Sequence, residues 1–224
     1  MSTPPMSNSA VVARAIVQSD GLTDQQKSDV YESTLFAQAA ADKQHPPTSE
    51  QEAIAWYRTY TNTLGSIGWV VQEANFTEVL HNATQGSVND TVLDALVNDS
   101  SVDKQTLSSV SRGMLALALA GSGSTAANVF DDSSISSKTN FVNFQIGIAT
   151  TDGDNAILTL WAYIYSSNQE VGSALWYNWS NTTLSMKSSK LVMTLNTNVY
   201  AQVRDIIHGK LEAAGKLDFI VDLC

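Results

Sequence analysis

The chain is poor in cysteine, proline and charge. Its one cysteine is Cys224, it has four prolines, and only 12 of its 224 residues are Lys or Arg. A lone cysteine forms no intrachain disulfide, so the fold must stand without oxidation. Cys224 is left to link chains, to accept a modification, or to do nothing. Charged residues make up 15% of the chain, against roughly 25% in an average soluble protein. The balance is acidic, with a net charge of −10. That sign and the scatter of the basic residues exclude binding to nucleic acid or to anionic lipid by simple electrostatics. The densest basic set is "MKSSK" at 186–190.

Long apolar runs are also missing. The longest, "MLALALAG", falls well short of the ~20 residues of a spanning helix. The first ten residues, "MSTPPMSNSA", have neither the basic nor the apolar region of a secretory leader. A cytoplasmic product is therefore expected, with release by lysis or a dedicated secretion route as the way out. Without a leader, the Asn-x-Ser/Thr sequons at Asn75, Asn82, Asn89, Asn98, Asn178 and Asn181 are expected to stay unmodified.

What replaces the missing charge is Ser, Thr and Asn, while hydrophobic content stays at an ordinary 43%. A disordered chain has the opposite bias, so this composition describes a folded protein with a neutral polar surface. Such a surface repels copies of itself weakly, which favours assembly.

Periodicity divides the chain. "LTDQQKSDVYESTLFAQAAADK" places Thr23 three residues before Gln26, a capping box, and runs helically to Pro46 and Pro47. A second helix starts after Ser49, and Ala53, Tyr57, Tyr60, Leu64, Ile67 and Val71 form one face. Gly65 and Gly68 cost that helix stability, and close approach of a neighbouring backbone is expected to excuse them. A third helix after Ser87 turns Val88, Val92, Leu93 and Leu96 inward. A fourth covers about 103–119 with Leu107, Val110, Met114 and Leu117, and ends at "AGSGSTAAN"; "FDDSSISSKTN" is expected to be a loop.

From residue 141 the period becomes two. Phe144, Ile146 and Ile148 alternate with Asn143, Gln145 and Gly147. Then Leu158, Leu160, Ala162 and Ile164 alternate with Ile157, Thr159, Trp161, Tyr163 and Tyr165. "ALWYNWSNTTLSM" and "KLVMTLN" add two strands. A helix at 198–214, with Val199, Val203, Ile206, Ile207 and Leu211 apolar, precedes a last alternating stretch, "GKLDFIVDL". The expectation is an α+β fold in a single domain, 1–224: a mainly helical layer at 10–120 packed on an antiparallel β-meander at 141–196, with a C-terminal helix and terminal strand at 197–224. The order of helices followed by long antiparallel strands resembles that of the small cytolysins of the Cyt type, a likeness of order rather than of motif.

Candidate sites are few. "TTDGDN" holds Asp152 and Asp154 as a calcium loop would, but Ala156, Ile157 and Tyr163 stand where that loop needs a ligand, a glycine and a glutamate; Asp-Gly between alternating runs is a hairpin turn. "GSGSTA" at 121–126 mimics a dinucleotide loop, yet the preceding residues carry the helical period and no phosphate lysine follows. A helix end broken by glycine accounts for it, and no cofactor is implied. His45, His81 and His208 lack metal-ligand spacing, so no metal is assigned. Arg204, Asp205 and His208 form a polar cluster on the last helix, suited to acid–base work or to a solvated charged face. Trp161, Tyr163 and Tyr165 share one strand face, with Trp176, Tyr177 and Trp179 nearby. Turned outward, this set would bind a sugar, a lipid interface or a protein; turned inward, it is core. Since Leu158, Leu160 and Ile164 line the other face, something must cover both.

Three functions follow: self-association or partner binding by a non-enzymatic protein, membrane activity of a toxin-like kind, and a hydrolase-type enzyme whose carboxylates meet only in the fold. No catalytic residue is assigned.

Overall fold

The structure, a computed structural model, describes residues 7–73 and 76–223. Cys224 and the sequon at Asn75 lie outside the described residues. The chain opens with a hairpin of β1 (Ser9–Val12) and β2 (Ala15–Ser19), inside the region expected to be helical. These nine residues are all buried and, Gln18 apart, apolar or small, and they run too short for an amphipathic helix to be told from a buried strand. Helices α1 (Asp24–Gln44) and α2 (Glu50–Ser66) follow. The Thr23–Gln26 capping box is formed, and Ser49 caps α2 through the Glu52 amide.

The apolar stripe of α2 does not continue to Val71. Ile67 is the C-cap, Gly68 takes φ +107°, and the chain turns into β3 (Trp69–Glu73). At Gly68 a side chain would lie 3.2 Å from the Tyr200 amide nitrogen, so the expected backbone approach is real there. Gly65 faces open space, and its expected neighbour is absent.

Strand β4 (Thr77–Ser87) was not foreseen, because it is a mostly exposed strand with irregular pairing and no clean alternation. Next come α3 (Val88–Asn98), α4 (Lys104–Ala120) and α5 (Thr125–Ser134). Helix α5 corrects the expected loop at 130–140: Ser124 caps a new helix, and Phe130 is buried within it. The segment at 121–126 is thus a helix–helix turn, with Gly121 at φ +86° and Gly123 at φ +83°. It has no preceding strand, which removes the dinucleotide-loop context.

A short β5 (Ile135–Ser136) leads to the long hairpin of β6 (Phe141–Asp152) and β7 (Asn155–Ser166), closed by Gly153 and Asp154 between paired Asp152 and Asn155. The acidic tetrad is a turn. The two strands expected at 174–196 are one, β8 (Asn178–Leu195). The expected helix at 198–214 is broken into α6 (Thr197–Tyr200) and α7 (Arg204–Ala213), with Val199 and Ile206 exposed rather than inward. A final strand, β9 (Ile220–Leu223), closes the chain.

Among the described residues the strands form one mostly antiparallel sheet in the order β3-β8-β7-β6-β2-β1-β9, with β4 on β8 and β5 on β6. The β2–β6 pair is the parallel exception. This is the α+β fold expected, with one amendment: helices cover both faces. On one side α1, α2 and α7 bury Leu158, Leu160, Ala162 and Ile164; on the other α3, α4 and α5 bury Phe144, Ile146, Trp161, Tyr163 and Tyr165. A strand apolar on both faces belongs in the middle of such a sandwich.

Candidate functional site

The structure disperses the residues named from sequence. Trp161, Tyr163, Tyr165, Tyr177 and Trp179 are buried in the second core. Trp161 and Tyr163 reach the floor of a cleft of about 500 Å³ between β4, α3 and β8. Its aromatic surface is already occupied: Lys190 Nζ sits 5.4 Å from the Trp161 ring centre and hydrogen-bonds Ser101. Trp161 Nε1 donates to Asp99 at 3.3 Å. Burial would raise the Asp99 pKa, but hydrogen bonds from Ser101 and Trp161 and the Lys190 charge outweigh it and hold the carboxyl below its ordinary value. These groups clamp the end of α3 to the sheet.

The polar cluster on α7 separates. Arg204 forms a two-pronged pair with buried Asp29 of α1, both contacts at 2.7 Å, and His208 Nδ1 lies 3.1 Å from both Glu32 oxygens. Those bonds to Glu32 raise the His208 pKa. Asp205 is exposed and takes no part. Arg204 and His208 tie α7 to α1, and the three residues line none of the cavities described.

Trp176 is different. Four of the five tryptophans commit their indole N–H: Trp56 to Asp42, Trp69 to Ser33, Trp161 to Asp99 and Trp179 to the Ala83 carbonyl. Among the described residues Trp176 has no partner for Nε1 and no ring or cation against it. It lines a cavity of about 390 Å³ at the α4–α5 turn, with Ala118, Gly121, Gly123, Gly172 and Asp131. The loop bearing Trp176 is held from behind by Tyr165, whose hydroxyl donates to the Ala174 carbonyl at 2.9 Å. Asp131 Oδ1 accepts from the Ala174 amide at 2.8 Å and from Ser173 at 3.3 Å, leaving Oδ2 without a hydrogen-bond partner among the described residues. Burial raises the Asp131 pKa, only partly countered by those two bonds.

Beside this cavity, α4 carries Leu115 and Leu119 on its outer side, 57% and 75% exposed. They lie one helical turn apart, so they form a single ridge. The inner side, Val110, Met114 and Leu117, is core. From Gly113 to Phe130 there is no Asp, Glu, Lys or Arg. Sequence reasoning missed Leu115, Leu119 and Asp131. The uncharged run was the available signal, but which of its leucines face outward depends on the packing of α4.

No family model matches the chain, and no curated protein matches its sequence. Solved structures give loose superpositions. The Evf virulence factor gives a TM-score of 0.36 at 11% identity, over 89% of this chain and 84% of that one. A delta-endotoxin gives 0.39 at 12% identity, over 88% and 86%. The activated Cyt2Ba monomer from Bacillus thuringiensis subsp. israelensis gives 0.40 at 13% identity, over 83% and 100%. Superpositions this loose leave the chain's own geometry as the basis for its function.

Proposed function

We propose that this protein acts at a lipid–water interface, entering it by the exposed end of α4. The observation that carries this reading is the Leu115–Leu119 ridge on a stretch without charge, backed by a face of the same helix that is also apolar. Solvent-exposed leucines in isolation are ordinary; a ridge of two at an uncharged helix end is a surface that water solvates poorly. The net charge of −10 directs it to neutral rather than anionic membranes. Because α4 from Gly113 to Ala120 is uncharged and apolar on both sides, that end can exchange its protein contacts for acyl chains while Lys104 and Arg112 stay outside the lipid. The toxin-like reading of the element order follows from that exchange.

The test is flotation with neutral vesicles. The wild-type protein co-floats, and Leu115→Asp/Leu119→Asp, checked for unchanged thermal unfolding, stays at the bottom. Wild-type protein that never floats would overturn the reading. Self-association is the second reading, supported by the same ridge and by the weakly charged surface. It predicts a defined dimer in light scattering that the double variant converts to monomer without any effect of lipid.

A further inference from the structure

Two leucines are a weak membrane anchor. Two leucine side chains bury less apolar surface than a single myristoyl chain, which itself gives only marginal, reversible binding. A stable interface therefore needs a second contribution, and the cavity beside the ridge has the chemistry for one.

We infer that the cavity formed by Trp176, Asp131 and the small residues of the α4–α5 turn binds a quaternary ammonium group, the cation of a neutral zwitterionic lipid headgroup. The inference deepens the interface reading and rests on it for the source of the cation, while the site itself is a property of the cavity. Three observations point to this ligand. The aromatic wall is the one indole that makes no polar or ring contact elsewhere among the described residues. A ring face open to a cavity attracts a cation through its quadrupole, more so when the site is partly desolvated. Among the described residues the sole charged group lining the cavity is Asp131, with no lysine or arginine on the lining to compete for its carboxylate. One Asp131 oxygen is fixed by the Ala174 amide and Ser173, and the other has no hydrogen-bond partner among the described residues.

The remaining walls choose between kinds of cation. Gly121, Gly123, Gly172 and Ala118 leave room and offer backbone and methyl surface, while of the polar side chains on the lining, Ser122, Asn128 and Ser173, the last two already donate, Asn128 to the Gly123 carbonyl and Ser173 to Asp131. A primary ammonium brings three N–H donors that need three acceptors. A trimethylated nitrogen brings none, and asks only for apolar contact, an aromatic face and a negative charge. The cavity provides those three. Its place at the end of α4 puts the headgroup beside the leucines that would enter the acyl region.

The test has two arms. In the first, tetramethylammonium chloride and phosphocholine are titrated into the protein, with binding read by NMR shifts of the Trp176 indole resonance. Saturable binding is expected, weakened about tenfold or more by Asp131→Asn, which keeps the Oδ1 acceptor for Ala174 and removes the charge. Trp176→Leu is expected to abolish binding and Trp176→Phe to retain part of it. No saturable binding, or equal binding to Asp131→Asn, overturns the inference. In the second arm, flotation compares phosphatidylcholine vesicles with vesicles of a neutral galactolipid that has no cation. Preference for phosphatidylcholine, lost in Asp131→Asn while residual flotation persists, supports the inference. Equal flotation on both lipids overturns the inference and leaves the interface reading standing. Binding of phosphocholine with flotation on neither lipid supports the cation site and removes the lipid as its source.

Discussion

At the residue scale, alternation in β6 gave the two faces correctly but not their fates. Asn143 and Gln145 lie opposite Phe144 and Ile146, as their spacing demands, yet both are fully buried under α1 and α2. Asn143 accepts from Tyr57 at 2.7 Å, and Gln38 bridges the Val12 carbonyl at 3.1 Å and Gln145 at 3.5 Å. A polar residue in a strand signals solvent unless its partners are known, and those partners come from distant helices. Gly147, on the same face, is there for space: a Cβ would fall 2.5 Å from the Thr159 carbonyl oxygen. Gly147→Ala is therefore expected to cost about 1–3 kcal/mol by overpacking, read as a lower urea midpoint at constant slope. His208 offers a pH-dependent counterpart. Its folded pKa is raised by Glu32, so its contribution is fully present below the unfolded value near 6.5 and is lost as pH rises through the folded value. His208→Ala should lower the melting temperature at about pH 5.5 and leave it almost unchanged at about pH 9. With His208 half exposed, the effect is small, and the sign is the test.

At the element scale, the long amphipathic helices and the β6–β7 hairpin were legible because many residues vote for one period. Thr23 with Gln26, Ser49 and Asp-Gly at the hairpin also mark their boundaries unaided. Short buried strands were not legible: β1 and β2 are apolar on both faces, so alternation vanishes. The end of α2 was missed for a different reason. Ile67 and Val71 continue the helical spacing by coincidence, and Gly68 overrides it through a backbone angle no pattern displays. A side chain at φ +107° is strained, and here it would also press on the Tyr200 amide. Gly68→Ala is expected to cost about 2 kcal/mol, whereas Gly65→Ala, in open helical surface, should stabilise by about 0.5–1 kcal/mol. Thermal unfolding of the pair separates the two glycines that the sequence made look alike. The candidate site was half legible. Trp176 was one of six aromatics named from the sequence, with nothing to set it apart from the five that are core, and nothing in the sequence brings Asp131 to it across the fold.

At the scale of the whole molecule, one sheet serves two cores. The β6 and β7 strands present Leu158, Leu160 and Ile164 to α1 and α2, and Phe144, Trp161 and Tyr163 to the α3–α5 layer. Neither helical layer can leave in water without exposing a broad apolar face, so the separated state is suppressed there. The arrangement predicts that the cores fail together. Leu160→Ala in the first core should cost about 2–5 kcal/mol and Phe144→Ala in the second about 3–5 kcal/mol, each displacing one shared denaturant transition whether followed by tryptophan fluorescence or by circular dichroism. Two separable transitions, one moved by each variant, would mean that the layers peel independently in water. In the presence of neutral vesicles the expectation changes. The α3–α5 layer, which carries the leucine ridge, should lose amide-exchange protection while α1 and α2, tied to α7 by Arg204–Asp29 and His208–Glu32, keep theirs. Equal loss in both layers would place the entry to the membrane elsewhere than α4.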